Sequence, residues 1–145
     1  MPELPVMIAQ FHSGIGAEGV RPYQWHVCVE TGALGRFTVA TVFYIRGSDA
    51  AGYTFEFRDN VRYKTSEAYR GATFIGTIRH TDLPKLPEHF ASVEIERGSY
   101  ASHLWAYRAA RKLAGHRMLD RALLAIESIA GQLASAEAAW ERGDD

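Results

Sequence analysis

Between residues 4 and about 97, apolar residues come in short runs rich in Val, Ile, Phe, Tyr and Thr, broken by Gly, Pro, Asp and Asn. Such runs read as strands and turns, because β-branched and aromatic side chains suit a pleated surface and the breakers supply turn geometry. The pattern predicts strands near 5–11 (PVMIAQF), 23–30 (YQWHVCVE), 37–45 (FTVATVFYI), 53–58 (YTFEFR) and 72–79 (ATFIGTIR), with a sixth candidate at 92–96. Their spacings are hairpin-like, whereas parallel crossovers need about a dozen residues or more, so antiparallel pairing is expected. Pro84 and Pro87 confine 81–91 to a turn or one short helix.

After Gly98 the period changes. Ser99 or Ser102 is placed to cap a helix over about 99–114, which Gly115 would end. A second helix is expected over about 117–140, where Leu119, Ala122, Leu123, Ile126, Ile129, Ala130, Leu133 and Trp140 fall at offsets of three and four. That stripe would cover the sheet, and its length also suits a homodimer seam. Strands followed by helices make an α+β pattern. The expectation is one domain over 1–145, an antiparallel sheet of five to six strands packed against two C-terminal helices.

Strand alternation assigns faces. Tyr23, Trp25, Val27 and Val29 share one side of the 23–30 strand, and Gln24, His26, Cys28 and Glu30 share the other. The first is a core face. The second mixes polar groups with a cysteine, a poor choice for open surface, and suits a partly buried cleft. Trp25, Phe37, Val39, Phe43, Phe55, Phe57 and Phe74 are read as core. Glu56 alternates with Phe55 and Phe57 and so points away from them, to solvent or to the cleft. Tyr53, Tyr63 and Tyr69 suit pocket walls or loop anchors equally.

Composition narrows the classes. The 145 residues are 47% hydrophobic and 23% charged with a net charge of −1, which excludes a disordered chain and argues against a nucleic-acid binder, for which a basic excess is needed. A single cysteine excludes a disulfide framework and fits a reducing, cytoplasmic compartment. No apolar run approaches the ~20 residues of a membrane span, and the first twenty residues lack a signal-peptide core. Gly14, Gly16 and Gly19 form a GxGxxG, but Pro22 and a strand follow where a nucleotide site needs a helix, so a turn between strands is the reading. The six histidines lack metal-ligand spacing, and His26 with Cys28 makes only two ligands, so no metal and no cofactor are expected. Arg108, Arg111, Lys112, Arg117 and Arg121 read as a solvated helical face.

Three segments carry a resemblance. Tyr23-Gln24-Trp25-His26, Phe43-Tyr44-Ile45-Arg46-Gly47 and Ala101-Ser102-His103-Leu104-Trp105 follow the order of a Tyr-His-Trp-Ala strand, a Tyr-His-Val-Lys-Asn strand and an Asn-Cys-x-x-Trp helix. This layout resembles an uncharacterised family of small fungal proteins, and is similar to circularly permuted papain-like thiol hydrolases and acyltransferases of the NlpC and lecithin–retinol acyltransferase type. The resemblance covers about 5–113, and the last helix would be an addition. It implies catalytic positions at Gln24, Tyr44 and Ser102, each altered from the family residue, while Trp25 and Trp105 are kept. The thiol–imidazole dyad is thereby lost. His26, Cys28, Glu56, His103 and Trp105 complete the candidate substrate-binding set.

Gln24 cannot take up a proton at useful pH, and a serine hydroxyl without a base is a weak nucleophile. Three neutral donor–acceptor groups remain, able to orient a polar substrate group or steady charge developing on a carbonyl oxygen. The leading expectation is therefore a cofactor-free isomerase or cyclase of fungal secondary metabolism, a Diels–Alder-type pericyclase among the options, acting on a small apolar metabolite. The alternatives are a catalytically inactive ligand- or protein-binding descendant, and a residual hydrolase or acyltransferase using Ser102, with His26 as a shifted base, or Cys28.

Overall fold

The computed structural model describes residues 3–16 and 19–144, with no side chains described over 15–20. Strands β1 (Glu3–Phe11), β2 (Ile15–Gly16), β3 (Gly19–Val20), β4 (Gln24–Leu34), β5 (Phe37–Ser48), β6 (Gly52–Val61) and β7 (Tyr69–Arg79) precede helices α1 (Leu86–Ala91), α2 (Ala101–Gly115) and α3 (Ile126–Glu141). Five strands form one sheet in the order β6-β5-β4-β1-β7, every neighbouring pair antiparallel. The α+β architecture read from the sequence is the one observed. β2 and β3 pair antiparallel apart from the main sheet, Ile15 with Val20 and Gly16 with Gly19; Ala17 and Glu18, where the sequence places a turn, lie outside the described residues. Tight turns at Tyr63–Thr65 and His80–Lys85 complete the chain. Among the described residues no helix is long and apolar enough to cross a membrane.

The pleat of β4 divides the molecule. Trp25, Val27 and Val29 join Val6, Ile8, Phe43, Ile45 and Ile78 in the main core beneath α1, α2 and α3. Cys28 instead joins a smaller cluster on the outer face, with Ala9, Phe11, Ala40, Val42, Tyr63 and Tyr69. Helices therefore cover one face, and the 63–69 segment shelters part of the other. Of the aromatic residues read as core, Trp25 and Phe43 are buried. Phe55 is half-buried, while Phe57 and Phe74, on the two outermost strands, stay 43% and 40% exposed because a sheet edge has neighbours on one side only.

Three expectations are corrected. Residues 92–96 form no strand. The second long helix begins at Ile126 rather than 117, because Arg117 takes a left-handed φ of 58° after α2 ends and the next residues return to the sheet. There the Asp120 N–H donates to Thr77 O (3.1 Å) while the Asp120 carboxylate accepts the Thr77 N–H (2.8 Å). Neither Ser99 nor Ser102 caps α2; Tyr100 holds the N-cap position without a side-chain bond. Within the expected stripe, Leu119, Ile129 and Leu133 are buried in the main core, and α3 packs on β7.

That packing depends on two glycines. At Gly71 (φ +111°) a Cβ would lie 2.9 Å from Ala136 of α3, and at Gly76 (φ +146°) 2.8 Å from the Asp120 carboxylate and 2.9 Å from Leu119. Gly71→Ala and Gly76→Ala are each expected to destabilise by roughly 2–4 kcal/mol, combining backbone strain with overpacking. Gly131→Ala, in open space within α3, should stabilise by roughly 0.5–1 kcal/mol. Urea titration of the three variants checks the ordering.

Candidate functional site

Outward-facing side chains of four strands build a cavity on the face without helices. Phe11 comes from β1, Gln24 and His26 from β4, Val42 and Tyr44 from β5, and Arg58 and Val61 from β6. Arg62, Tyr63, Thr65, Ser66 and Ala68 close one side, and His12 and Ser13 another. The volume is about 530 Å³, within the roughly 300–1,000 Å³ usual for small-molecule sites. A hydrogen bond from the Tyr63 hydroxyl to Glu30 (2.7 Å) ties the closing segment to β4. Burial and that acceptor both push the Tyr63 phenol up, so it stays neutral.

His26 sits at the centre. Its ring contacts Phe11 (centroids 4.5 Å, planes at 30°) and Tyr44 (5.0 Å, 28°). Among the described residues it has no hydrogen-bond partner, so its polar edge is available to a ligand. Burial pulls its pKa from the usual 6.5 down to about 4, and the imidazole is neutral at pH 7. The Tyr44 hydroxyl donates to Glu56 at 3.2 Å, and Arg46 stands 3.8 Å from the same carboxylate. Cys28 is wholly buried in the cluster beneath; burial first, then the Glu30 charge, pushes its thiol up, which leaves almost no thiolate.

The helix-borne candidates lie elsewhere. Ser102, in the first turn of α2, accepts the Trp25 N–H through Oγ (3.1 Å) on the helical side of the sheet. It shares with Gln24 a second groove of about 350 Å³, where Arg21, Asp49 and Tyr53 also stand, and Tyr44 does not line that groove. Gln24, at the start of β4, thus borders both spaces, and the three family-derived positions do not meet in one. His103 stacks on Trp25 (centroids 4.1 Å, 11° between planes), and its Nε2 is bonded to Tyr23 O. Burial lowers its pKa against the opposing effect of that bond. Trp105 is corrected from binding residue to core: it is 1% exposed between Phe55 and Phe90, and its Nε1–H has no partner.

So Gln24 and His26 share the outer face of β4, β5 brings Tyr44 beside His26, and Cys28 lies below with Glu56 beside Tyr44. Phe11, Arg58 and Arg62 were not singled out as cavity-lining by the sequence, whereas Tyr63, read there as a pocket wall or a loop anchor, lines the cavity. Register pairs Arg58 with Val42 and Glu56 with Tyr44, and only that pairing aligns β6 with the cleft. Among the described residues no three His, Cys, Asp or Glu side chains form a metal-ligand set. Chemically the cavity offers aromatic walls, an amide, a neutral imidazole and a hydroxyl, with two guanidinium groups.

Since His26 is neutral in the fold and protonates near 6.5 once unfolded, the unfolded state gains a proton that the native state lacks as pH falls below 6.5. Stability is then complete above about pH 6.5 and falls toward pH 4, by up to about 3 kcal/mol from this residue. His103 acts in the same direction. Denaturant unfolding across this window is expected to show that slope, and His26→Phe to flatten most of it.

Comparison with curated proteins and with solved structures gives no match. A model for a family of unknown function, DUF6540, matches residues 10–120. The matched span begins at Gln10 in β1 and ends at Asp120, where the chain bonds back to β7; α3 lies beyond it. By that match, over well more than half its length, the chain belongs to the DUF6540 family.

Proposed function

We propose that the outer-face cavity takes up a small, largely apolar metabolite, and that the chemistry this lining favours is a cofactor-free isomerisation or cyclisation. The supporting observation is the unpartnered, neutral His26 imidazole in ring contact with Phe11 and Tyr44 inside a walled cavity. A ring or conjugated chain can extend those contacts while Gln24 and His26 bond its polar atoms. Holding one reactive conformer can by itself remove several kcal/mol of barrier.

The binding-only reading has its own support. Ser102 Oγ accepts a backbone N–H, the His103 Nε2 is engaged by Tyr23 O, and the other imidazole, His26, opens to the opposite face of the sheet. Among the described residues Ser102 and His103 form no nucleophile–base pair of the kind acyl transfer requires. A protein with this site and no turnover is a ligand carrier or sensor. For the same reason an acyl-type covalent probe is expected to label neither Ser102 nor the buried Cys28 in the folded chain, and labelling abolished by Ser102→Ala or Cys28→Ala would restore the hydrolase reading.

Metabolite profiles of the source organism with and without the gene test the main reading. Loss of one compound with accumulation of an isomer of equal mass is the expected result. Tyr44→Phe and Gln24→Leu, supplied in place of the wild type, should then slow product formation without unfolding the chain. A mass shift of one water or one acyl group would sink the isomerase reading, and an unchanged profile would favour the carrier.

A further inference from the structure

The cavity has a sign as well as a shape. Arg58 and Arg62 both line it, and no carboxylate does among the described residues. The acids on the surrounding strands are each engaged: Glu30 accepts the Tyr63 hydroxyl, Glu56 accepts that of Tyr44 and faces Arg46, and Asp59 accepts that of Thr41 at 2.9 Å. Among the described residues Arg58 has no hydrogen-bond or ion-pair partner, and Arg62 rests only over the Phe37 ring, 5.2 Å from its centroid. Two guanidinium groups lining one cavity, neither in a direct ion pair among the described residues, beside an apolar floor, describe half of a complementary pair. Guanidinium donors match a carboxylate in planar, two-point geometry, which adds directional bonds to an attraction that salt can screen.

We propose that the ligand of this cavity is a small organic acid, its apolar body stacked against Phe11, His26 and Tyr44 and its carboxylate held by Arg58 and Arg62. This rests on the cavity being a binding site and adds the chemical class of what it binds.

The experiment is a titration of the full chain with a panel of small aryl and alkyl carboxylic acids and their matched primary amides, followed by the backbone N–H resonances of Phe11, His26, Tyr44 and Tyr63. Acids are expected to bind at least about fivefold more tightly than their amides, with the preference shrinking as salt is raised. In the double variant Arg58→Gln, Arg62→Gln the preference should vanish while amide affinity holds. Both side chains are exposed, so the fold should persist, and unchanged resonances elsewhere verify it; Arg58→Gln alone, expected to lose part of the preference, serves if the pair does not fold. Equal binding of acids and amides to the wild type, or a preference that survives the substitutions, would overturn the acid assignment and leave the cavity as a binding site. Failure of every compound to move these resonances would overturn both.

Discussion

One strand sets the terms for the rest of the molecule. β4 runs through the middle of the sheet, and its two-residue period sends Trp25, Val27 and Val29 to one side and Gln24, His26 and Cys28 to the other. The chain has helices enough to cover only the first side. The second side is too apolar to be left bare, with Phe11, Ala40 and Val42 in it, yet its cover is partial: the short 63–69 segment, with Trp140 of α3 packed against the same cluster. A hollow between a pleated floor and a partial roof follows from that inequality.

Specific polar bonds hold the two layers in register. The Gln10 amide, on the helical face, donates to Arg70 O (2.9 Å) and to Leu133 O (2.7 Å), joining β1, β7 and α3 at a buried point. Left without these acceptors the amide would cost about 1–3 kcal/mol, so α3 has a defined seat rather than a greasy slide. Thr73 bonds Gln132, and Tyr23 bonds Glu137, along the same helix. On the outer face the Tyr63–Glu30 bond does similar work for the roof.

The sheet was legible because strands leave two traces: short β-branched and aromatic runs with alternation marked the five main strands and the two faces of 23–30, and their hairpin-like spacing marked antiparallel pairing, while the order of the strands in the sheet left none. The same habit misled over 117–125. Leu119, Leu123 and Ile126 keep helical offsets, but Leu119 is buried because the chain returns to β7 through Asp120, and offsets alone cannot separate a helix from a wrapping loop. The motif order Gln24, Tyr44, Ser102 was readable and still did not assemble one site, since linear order says nothing about which side of a sheet a helix covers. Trp105 illustrates the matching ambiguity: a tryptophan on a helix is equally at home in a core and in a pocket. Arg58 and Arg62 carried no local signal, because their meaning comes from strand pairing with β5 and from where the turn at Tyr63 brings the chain.

The two rims of the sheet are finished differently. At β7, Asp120 occupies both backbone groups of Thr77, and α3 packs along the strand. At β6, the pairing slips between Ala40 and Val42, Asn60 turns to a φ of 57°, and Glu56, Arg58 and Asp59 put charge where a flat strand would be. An outermost strand with unbonded N–H and C=O groups invites the strand of another molecule, and bulges, charges and covering segments are what discourage it. The helix beyond the family match therefore does a job at the molecular boundary: without it, β7 would lose the cover along which a second copy could begin to stack.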